Sequence, residues 1–482
     1  MEKSHDCDFR VEAEELRSKL TAVLARVDEL ERALAAQVKK AIGRTSERSK
    51  RPPSNRPAPR PKNDAEAQEA RAKRRAVRDT LPQVIVEHRV GDAERAGCPE
   101  CGENCFVEVA RDTSAEYEWV PGRLVRKLHM RETLRCTSCN HFVRAPAPPR
   151  VVDGGQYGPA FIARVVVSKC ADCLPLYRQV TAMGREGLFV ARSTLVGLFH
   201  LAAGLIKPIY DRMVALIPES PVVYADETSL KMQKVEKLGF IWTFATETEV
   251  VYCFSPNRSG ETPKAILGDS SGVLVVDGYT GYNNVTVPGC RTRAGCNAHA
   301  RRKFVDIDDD DARKMISHLD EVFRVERDAA RDDVVGKAAH LELRKTRSRP
   351  AMEAIKTWCD DNLDMHAPKT PMGTAIRYFR NQWEPLTVFL DDVRIQPHNM
   401  ISERLLRVIA LGRKNYLFVG HEEAGDNLAI LCSMIASCAL HGINPAHYLA
   451  DVLIRVQNQR AADIDDLLPQ NWKDEFGQPA GP

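Results

Sequence analysis

Two valine-dense segments of this chain end in the same way, and that pattern constrains the fold more than any other feature. Pro221-Val-Val-Tyr-Ala runs into Asp226-Glu227-Thr228, and Gly272-Val-Leu-Val-Val runs into Asp277-Gly278-Tyr279. Unbroken apolar runs of this length read as strands covered on both faces. An acid at the end of such a strand sits at the edge of the sheet, at the mouth of the core. If the two strands are neighbours, their carboxylates converge. Converging acids stay ionised most readily with a divalent cation between them. Mg²⁺ suits an all-oxygen set and keeps several of its waters. A third acid completes the pattern. The segment HNMISERLLRVIALGRKNYLF reads as a helix with Ile401, Leu405 and Val408 on one stripe and Glu403 beside Leu406 and Ala410. Alone, Glu403 reads as an exposed salt bridge to Arg407, and a lone strand-end Asp reads equally well as a turn residue. The combination of Asp226, Asp277 and Glu403 is what points to a metal-binding triad.

The cysteines give a second fixed point. Cys98-Pro-Glu-Cys101 and Cys136-Thr-Ser-Cys139 are two Cys-x-x-Cys turns, 34 residues apart. Four thiolates so arranged surround one Zn²⁺ tetrahedrally and leave no open position, which makes the site structural. Gly102 suits the tight turn after the first pair, and the flanking residues read as hairpins, as in a zinc ribbon. Cys105 is a spare that competes as a ligand. Cys170-Ala-Asp-Cys173 has the same spacing but lies in an apolar helical run, and reads as buried cysteines filling a helix core.

Upstream of the knuckles, Leu16, Leu20, Val23, Val27, Leu30 and Leu34 alternate spacings of four and three, the seam of a short coiled coil. Prolines at 52, 53, 57, 59 and 61 then forbid a regular helix. From Lys39 to Arg75 there are 13 basic residues against 4 acidic ones, although the whole chain carries only 69 − 66 = +3. An extended cationic tether of this kind is suited to sequence-blind contact with a phosphate backbone. The expected architecture is an α/β multidomain chain: 1–43 a coiled-coil helix, 44–80 a basic Pro-rich linker, 81–150 a zinc-binding domain, and 151–218 a helical DNA-binding or connector region. Residues 219–425 form the catalytic domain, and 426–482 a helical block with an acidic tail. The acidic run Asp308–Asp311 reads as a solvated loop. No export signal opens the chain, and the longest apolar stretch, Leu428–Leu440, is short of the roughly 20 residues a bilayer needs. With fourteen cysteines and no signal, reduced thiols, a cytoplasmic setting and no membrane partner are expected.

The motifs YADET, VVDGYTGYN, CNAHARRKF and SERLLRVIALGRKNYLFVGHEEAG, in this order, resemble the landmarks of the insertion sequence 66 family of bacterial DDE transposases. GRTSERS after the heptad, the two knuckles, LPLYRQ and the terminal NPAHYLADVL are similar too, so the resemblance spans roughly 10–455. It implies an RNase H-like core with Asp226, Asp277 and Glu403 as the catalytic triad. It also implies a helical insertion at about 300–390, and small accessory proteins from the same element. One departure stands out: family members usually have Asp-Asn before the catalytic helix, where this chain has His398-Asn399.

The chemistry so implied is DNA 3′-end cleavage and strand transfer supported by two Mg²⁺ (or Mn²⁺) ions, with no covalent protein–DNA intermediate. The protein is expected to be a homo-oligomer on DNA, since two element ends must meet at one target. Cys296-Asn-Ala-His299 matches a Cys-x-x-His signature of such enzymes, and reads either as half a zinc site with help from Cys290 or as a packed histidine near the active site. Arg301, Arg302 and Lys303, and Arg413 and Lys414, stand beside the centre and suit a DNA backbone. The rival readings are a simple RNase H-like metal nuclease and a non-catalytic zinc-ribbon DNA-binding relic.

Overall fold

In the computed structural model, five strands form the main sheet in the order β5-β4-β3-β6-β7. They are β3 (Val222–Lys231), β4 (Leu238–Ala245), β5 (Val250–Ser255), β6 (Val273–Val276) and β7 (Thr292–Gly295). β3, β4 and β5 form an antiparallel meander. On the other side of β3 the pairing is parallel, through β6 to β7. The structure describes residues 149–233, 238–458 and 460–472, plus the backbone of two short strands. These are β1 (Thr133–Arg135) and β2 (Phe142–Arg144), an antiparallel pair that brackets Cys136 and Cys139 in sequence. All lie in one unit, Ala115–Pro479. The heptad, the basic linker and the four knuckle cysteines Cys98, Cys101, Cys136 and Cys139 lie outside the described residues.

The apolar runs explain the centre of the sheet. Val222 to Ala225 of β3 and Leu274 to Val276 of β6 are buried, and burying each such side chain is worth about 1.5–3 kcal/mol. A short helix, α4 (Glu261–Leu267), makes the crossover from β5 to β6. Gly272 opens β6 at φ +110, where an added Cβ would lie 2.6 Å from the Pro221 carbonyl, so only glycine fits. Buried Arg291 ties the same corner together. Its guanidinium donates to the carbonyls of Pro218 (2.7 Å), Ser220 (3.0 Å) and Val273 (3.3 Å) and to Ser270 Oγ (2.9 Å).

Helices cover the sheet. Before it come α1 (Pro159–Cys170), α2 (Leu176–Arg185) and α3 (Arg192–Leu216), with a small core of their own at Val165, Met183, Val190 and Leu195. Cys170 closes α1 and is buried. Cys173 is buried too, but beyond the helix at φ +55, with its thiol donating to the Val408 carbonyl at 3.4 Å. Between β7 and the helix of Glu403 the described chain is helical and irregular, without strands. This stretch holds α5 (Asn297–Val305), α6 (Asp310–Arg331), α7 (Ala338–Leu343), a π-helical turn Arg344–Ser348, α8 (Arg349–Asp361), α9 (Pro371–Asn381) and α10 (Trp383–Thr387). The acidic run is a loop only as far as its first two residues: exposed Asp308 and the cap Asp309 precede α6, and Asp310 and Asp311 begin it. Asp309 caps it by accepting the Ala312 N–H at 2.7 Å, and Asp310 and Asp311 occupy its first turn. Carboxylates are stabilised there by the unpaired amides and the helix dipole.

Next come α11 (Met400–Tyr416), α12 (Glu422–Leu440) and α13 (Pro445–Arg455). α12 closes the open edge of the sheet. Ser433 Oγ accepts the Tyr252 N–H (2.8 Å), and Ser437 Oγ accepts the Val250 N–H (3.0 Å) and donates to the Val250 carbonyl (3.2 Å). Edge amides that would otherwise recruit another strand are thus satisfied from a helix. Arg192–Glu219 and Glu422–Leu440 are each long and apolar enough to cross a bilayer, yet both contribute buried side chains to the core around this sheet.

Candidate active site

The parallel pairing of β3 and β6 brings the two acids near each other, but only Asp277 follows a strand end. Asp226 lies in the middle of β3, opposite Thr243 of β4, because the antiparallel pairing with β4 carries β3 past its apolar run to Lys231. Val222 faces Val273 and Tyr224 faces Val275, where the pairing ends. Asp226 follows two residues on in β3 and Asp277 follows the end of β6, near enough for its charge to act on Asp226. Asp226 Oδ1 accepts the Glu227 N–H at 2.9 Å, and Asp277 Oδ1 accepts the Tyr279 N–H at 2.9 Å. Arg293 on β7 holds the turn after β6. It donates to the carbonyls of Asp277 and Tyr279 and to Asn283 Oδ1.

Glu403 arrives on the first turn of α11, and Asn399 sets where that turn begins. The Asn399 side-chain amide donates to the Ala225 carbonyl, one residue before Asp226, at 2.7 Å. Its backbone N–H donates to Cys296 Sγ at 3.2 Å, and its carbonyl accepts the Glu403 N–H at 3.2 Å. The Ser402 hydroxyl donates to Asn399 Oδ1. His398, in place of the usual Asp, accepts the Met400 N–H on Nδ1 at 3.4 Å, so the ring supplies an acceptor at the helix start. Further along, Arg413 donates to Thr228 Oγ1 (2.9 Å) and the Ser229 carbonyl (2.6 Å). α11 is therefore pinned to β3 near both of its ends.

The result is a cleft of about 350 Å³ lined by Asp226, Glu227, Thr228, His299, Arg302 and Glu403 together with Leu406, Arg407 and Ala410, whereas Asp277 is not part of its lining. Burial pushes the Asp226 carboxyl up to about 7, with further repulsion from Glu227, Asp277 and Glu403. Glu403 Oε1 and His299 Nδ1 are buried atoms without a hydrogen-bond partner among the described residues, and lie 3.7 Å apart. Mutually repelling carboxylates with an orphaned oxygen fit a divalent cation.

Comparison with known proteins agrees. A family model described as "Transposase IS66 family" matches residues 154–427, more than half of the chain and all three acids. The chain belongs to the IS66 transposase family. An "IS66 C-terminal element" matches 433–470, and a "zinc-finger binding domain of transposase IS66" matches 96–140, across all four knuckle cysteines. Three relatives come from Sinorhizobium fredii. Uncharacterized protein y4jD is 34% identical, with 86% of this chain and 87% of that one covered. Uncharacterized protein y4hP is 28% identical (83% and 78% covered), and uncharacterized protein y4qI is 30% identical (78% and 74% covered). This protein is thus a DDE transposase, a phosphoryl-transfer enzyme that acts on element DNA. Its mixed five-stranded sheet is consistent with the RNase H-like core of a DDE domain, which implies a divalent metal, and its zinc-finger domain implies Zn²⁺.

The basic residues of the transposase divide. Arg302 lines the cleft. Lys303 is exposed, with its ammonium 5.2 Å from the Tyr378 ring centroid, and Lys414 is exposed. Arg301 instead pairs with Asp320 at 2.8 Å, and Arg413 is committed to β3 as above. Cys290 does not join Cys296 and His299. Its thiol faces Asp269 at 3.7 Å, and the third donor beside that pair is Glu403.

Sequence reasoning missed Glu227, whose side chain is 2% exposed. It accepts from Arg258 and from the Tyr282 hydroxyl (2.7 Å). Arg258 lies 3.9 Å above the Tyr279 ring, and the Tyr279 hydroxyl donates to the Arg258 carbonyl. This cluster ties β3 to the Asp277 turn. The adjacent acid in Asp226-Glu227 was its one visible signal, since Arg258 lies in a loop without a motif.

Proposed function

We propose that Asp226, Asp277 and Glu403 hold two Mg²⁺ (or Mn²⁺) ions, and that the transposase uses them for 3′-end cleavage and strand transfer. The observation that carries this reading is the joint placement of three acids from three elements. In its support, Asp226 and Glu403 line one cleft, Asp277 follows the strand paired with β3 and adds to the charge around Asp226, and Asn399 ties the Glu403 helix to the residue before Asp226. Bound there, the cations acidify the attacking hydroxyl and stabilise the leaving 3′ oxygen of an in-line displacement. The protein's own part is placement. Asn399 and Arg413 fix α11 against β3, Arg293 fixes the Asp277 turn, and the Glu227–Arg258–Tyr282 cluster stiffens the strand that bears Asp226. Arg302, and the exposed Lys303 and Lys414, are suited to hold the DNA backbone beside the cleft. Water as nucleophile frees the 3′ end, and the freed 3′-hydroxyl then attacks target DNA.

The same reading assigns Zn²⁺ to Cys98, Cys101, Cys136 and Cys139, dimerisation to the N-terminal heptad, and backbone contact to the basic linker. It makes the enzyme a homo-oligomer on its terminal repeats, served by small accessory proteins of the element, in the bacterial cytoplasm at the nucleoid. Labelled element-end DNA with Mg²⁺ or Mn²⁺, wild type beside Asp277→Asn, tests it. Metal-dependent nicking and joining, lost in the variant, is the expected result. Nicking without joining would favour a simple nuclease. Binding without chemistry in either metal would favour the non-catalytic relic.

A further inference from the structure

Cys296 and His299 meet Glu403 at the inner wall of the cleft. Cys296 caps the amino end of α5, and His299 lies in its first turn. The sulfur is fully buried and receives backbone N–H groups from Asn399, at 3.2 Å, and from Ala298 and His299. Burial pushes the Cys296 thiol up to about 11 and these amides offset only part of that rise, so a cation bound there would displace the thiol proton. One donor atom from each of Cys296, His299 and Glu403 lies within 4.8 Å of the other two, and His299 Nδ1 is 3.7 Å from Glu403 Oε1. A tetrahedral cation with bonds of 2.0–2.3 Å holds its donors roughly 3.3–3.8 Å apart; the nitrogen and oxygen already fall in that range, and the sulfur donor lies within 4.8 Å of the other two groups. The nitrogen and the oxygen are the orphaned atoms noted above, and a cation between them satisfies both. His299 and Glu403 line the cleft, which gives the cation a way in.

The donor set is sulfur, nitrogen and oxygen, unlike the all-oxygen pair Asp226 and Asp277. Hard Mg²⁺ disfavours a thiolate, whereas Zn²⁺ and its neighbours prefer one, and Zn²⁺ exceeds Mn²⁺ in affinity at mixed sites of this kind. We propose that Cys296, His299 and Glu403 form a second metal site, selective for thiophilic divalent cations of the Zn²⁺ class, and that filling it withdraws Glu403 from the catalytic set. The site is then inhibitory. This rests on the reading that Glu403 serves the catalytic Mg²⁺. Zn²⁺ has two fates in one chain: structural at the finger cysteines and restraining at the cleft.

The test uses the full-length protein with its finger already loaded with spectroscopically silent Zn²⁺, titrated with Co²⁺. The wild type is expected to develop tetrahedral d–d bands and a thiolate-to-cobalt charge-transfer band, at one equivalent. Cys296→Ser should lose the charge-transfer band, and His299→Asn should weaken Co²⁺ binding. His299 is partly exposed, so its substitution keeps the test sound if the buried Cys296 variant fails to fold. Asp277→Asn should keep the band. In Mg²⁺-supported cleavage, the Zn²⁺ concentration for half-inhibition should rise at least about tenfold in His299→Asn, no less than the effect of losing even an outer-shell partner. A band and a Zn²⁺ inhibition unchanged in both variants would overturn the proposal. If instead Asp277→Asn still cleaves DNA, the catalytic assignment fails while the cobalt band still stands.

Discussion

Two polar clusters lie within this fold and are built on opposite rules. At the cleft, Asp226 and Glu403 stand as like charges with Asp277 near by, burial and then their repulsion push Asp226 up to about 7, and Glu403 Oε1 has no hydrogen-bond partner among the described residues. In the helical segment before α11, buried Arg344 of the π-helical turn faces Glu326 with two bonds of 2.8 Å. Its other N–H groups reach the carbonyls of Phe389 (2.6 Å), Asp392 (3.0 Å) and Ile395 (3.1 Å). All five donors of that guanidinium are thereby used. The lesson is that a satisfied charge cluster builds the scaffold, whereas a cluster left repelling and under-bonded waits for something from outside. The two are linked in sequence, because the Arg344 anchor secures the chain at 389–395 just before it enters α11.

The comparison is broken most severely at Asp277. Asp277→Asn should cut cleavage by at least about a thousandfold, the loss expected when several kcal/mol of metal-borne charge stabilisation disappear. Its thermal stability should hold or rise, because a repulsion is removed. A variant that lost stability in step with activity would contradict the contrast. Arg344→Met should do the reverse. It leaves the partly buried Glu326 with only His340 beside it, strips the carbonyls of Phe389, Asp392 and Ile395 of their donor, and should cost about 3–5 kcal/mol in denaturant unfolding. A cost below about 1 kcal/mol would mean that Arg344 is not an anchor.

Asn399→Ala sits between the two. Losing its tie to Ala225 should slow cleavage about 10–100-fold, as loss of an outer-shell partner does, and should cost only about 1–2 kcal/mol of stability. Kinetics and unfolding on the same preparation separate the two effects. The smallest effect is expected at Asp309. Asp309→Ala removes the α6 cap and should cost about 1 kcal/mol with no change in cleavage rate. A cleavage defect there would mean that the helical segment does more than support α11.

Much of the candidate site can be read in the sequence. Asp226 and Asp277 could be found because a doubly buried strand needs an unbroken apolar run, and an acid ending such a run stands out. Glu403 was legible only in combination, since a helix displays many acids on its polar face. Arg413 could not be read correctly. Its position beside the Glu403 helix suggested DNA, but its partners are Thr228 and Ser229, some 185 residues away in sequence and adjacent only because α11 lies along β3. Arg301 was misleading for the same reason, with Asp320 on the next helix as its partner. The acidic run at 308–311 looked like a solvated loop because its capping role depends on where α6 begins.

What the sequence determined by itself is the set of local devices. The apolar runs specify the central strands, and the Cys-x-x-Cys pairs mark the zinc-finger domain. Each depends on neighbours a few residues away, so the pattern alone carries it. What only the tertiary structure decided is partnership. The parallel pairing sets β3 beside the strand that leads to Asp277, Asn399 ties α11 to Ala225, and Cys296 and His299 find Glu403 across more than a hundred residues of chain. Hydrogen bonds and metal ligation act over about 3 Å, and no linear pattern records which distant groups the folded core will bring within that reach.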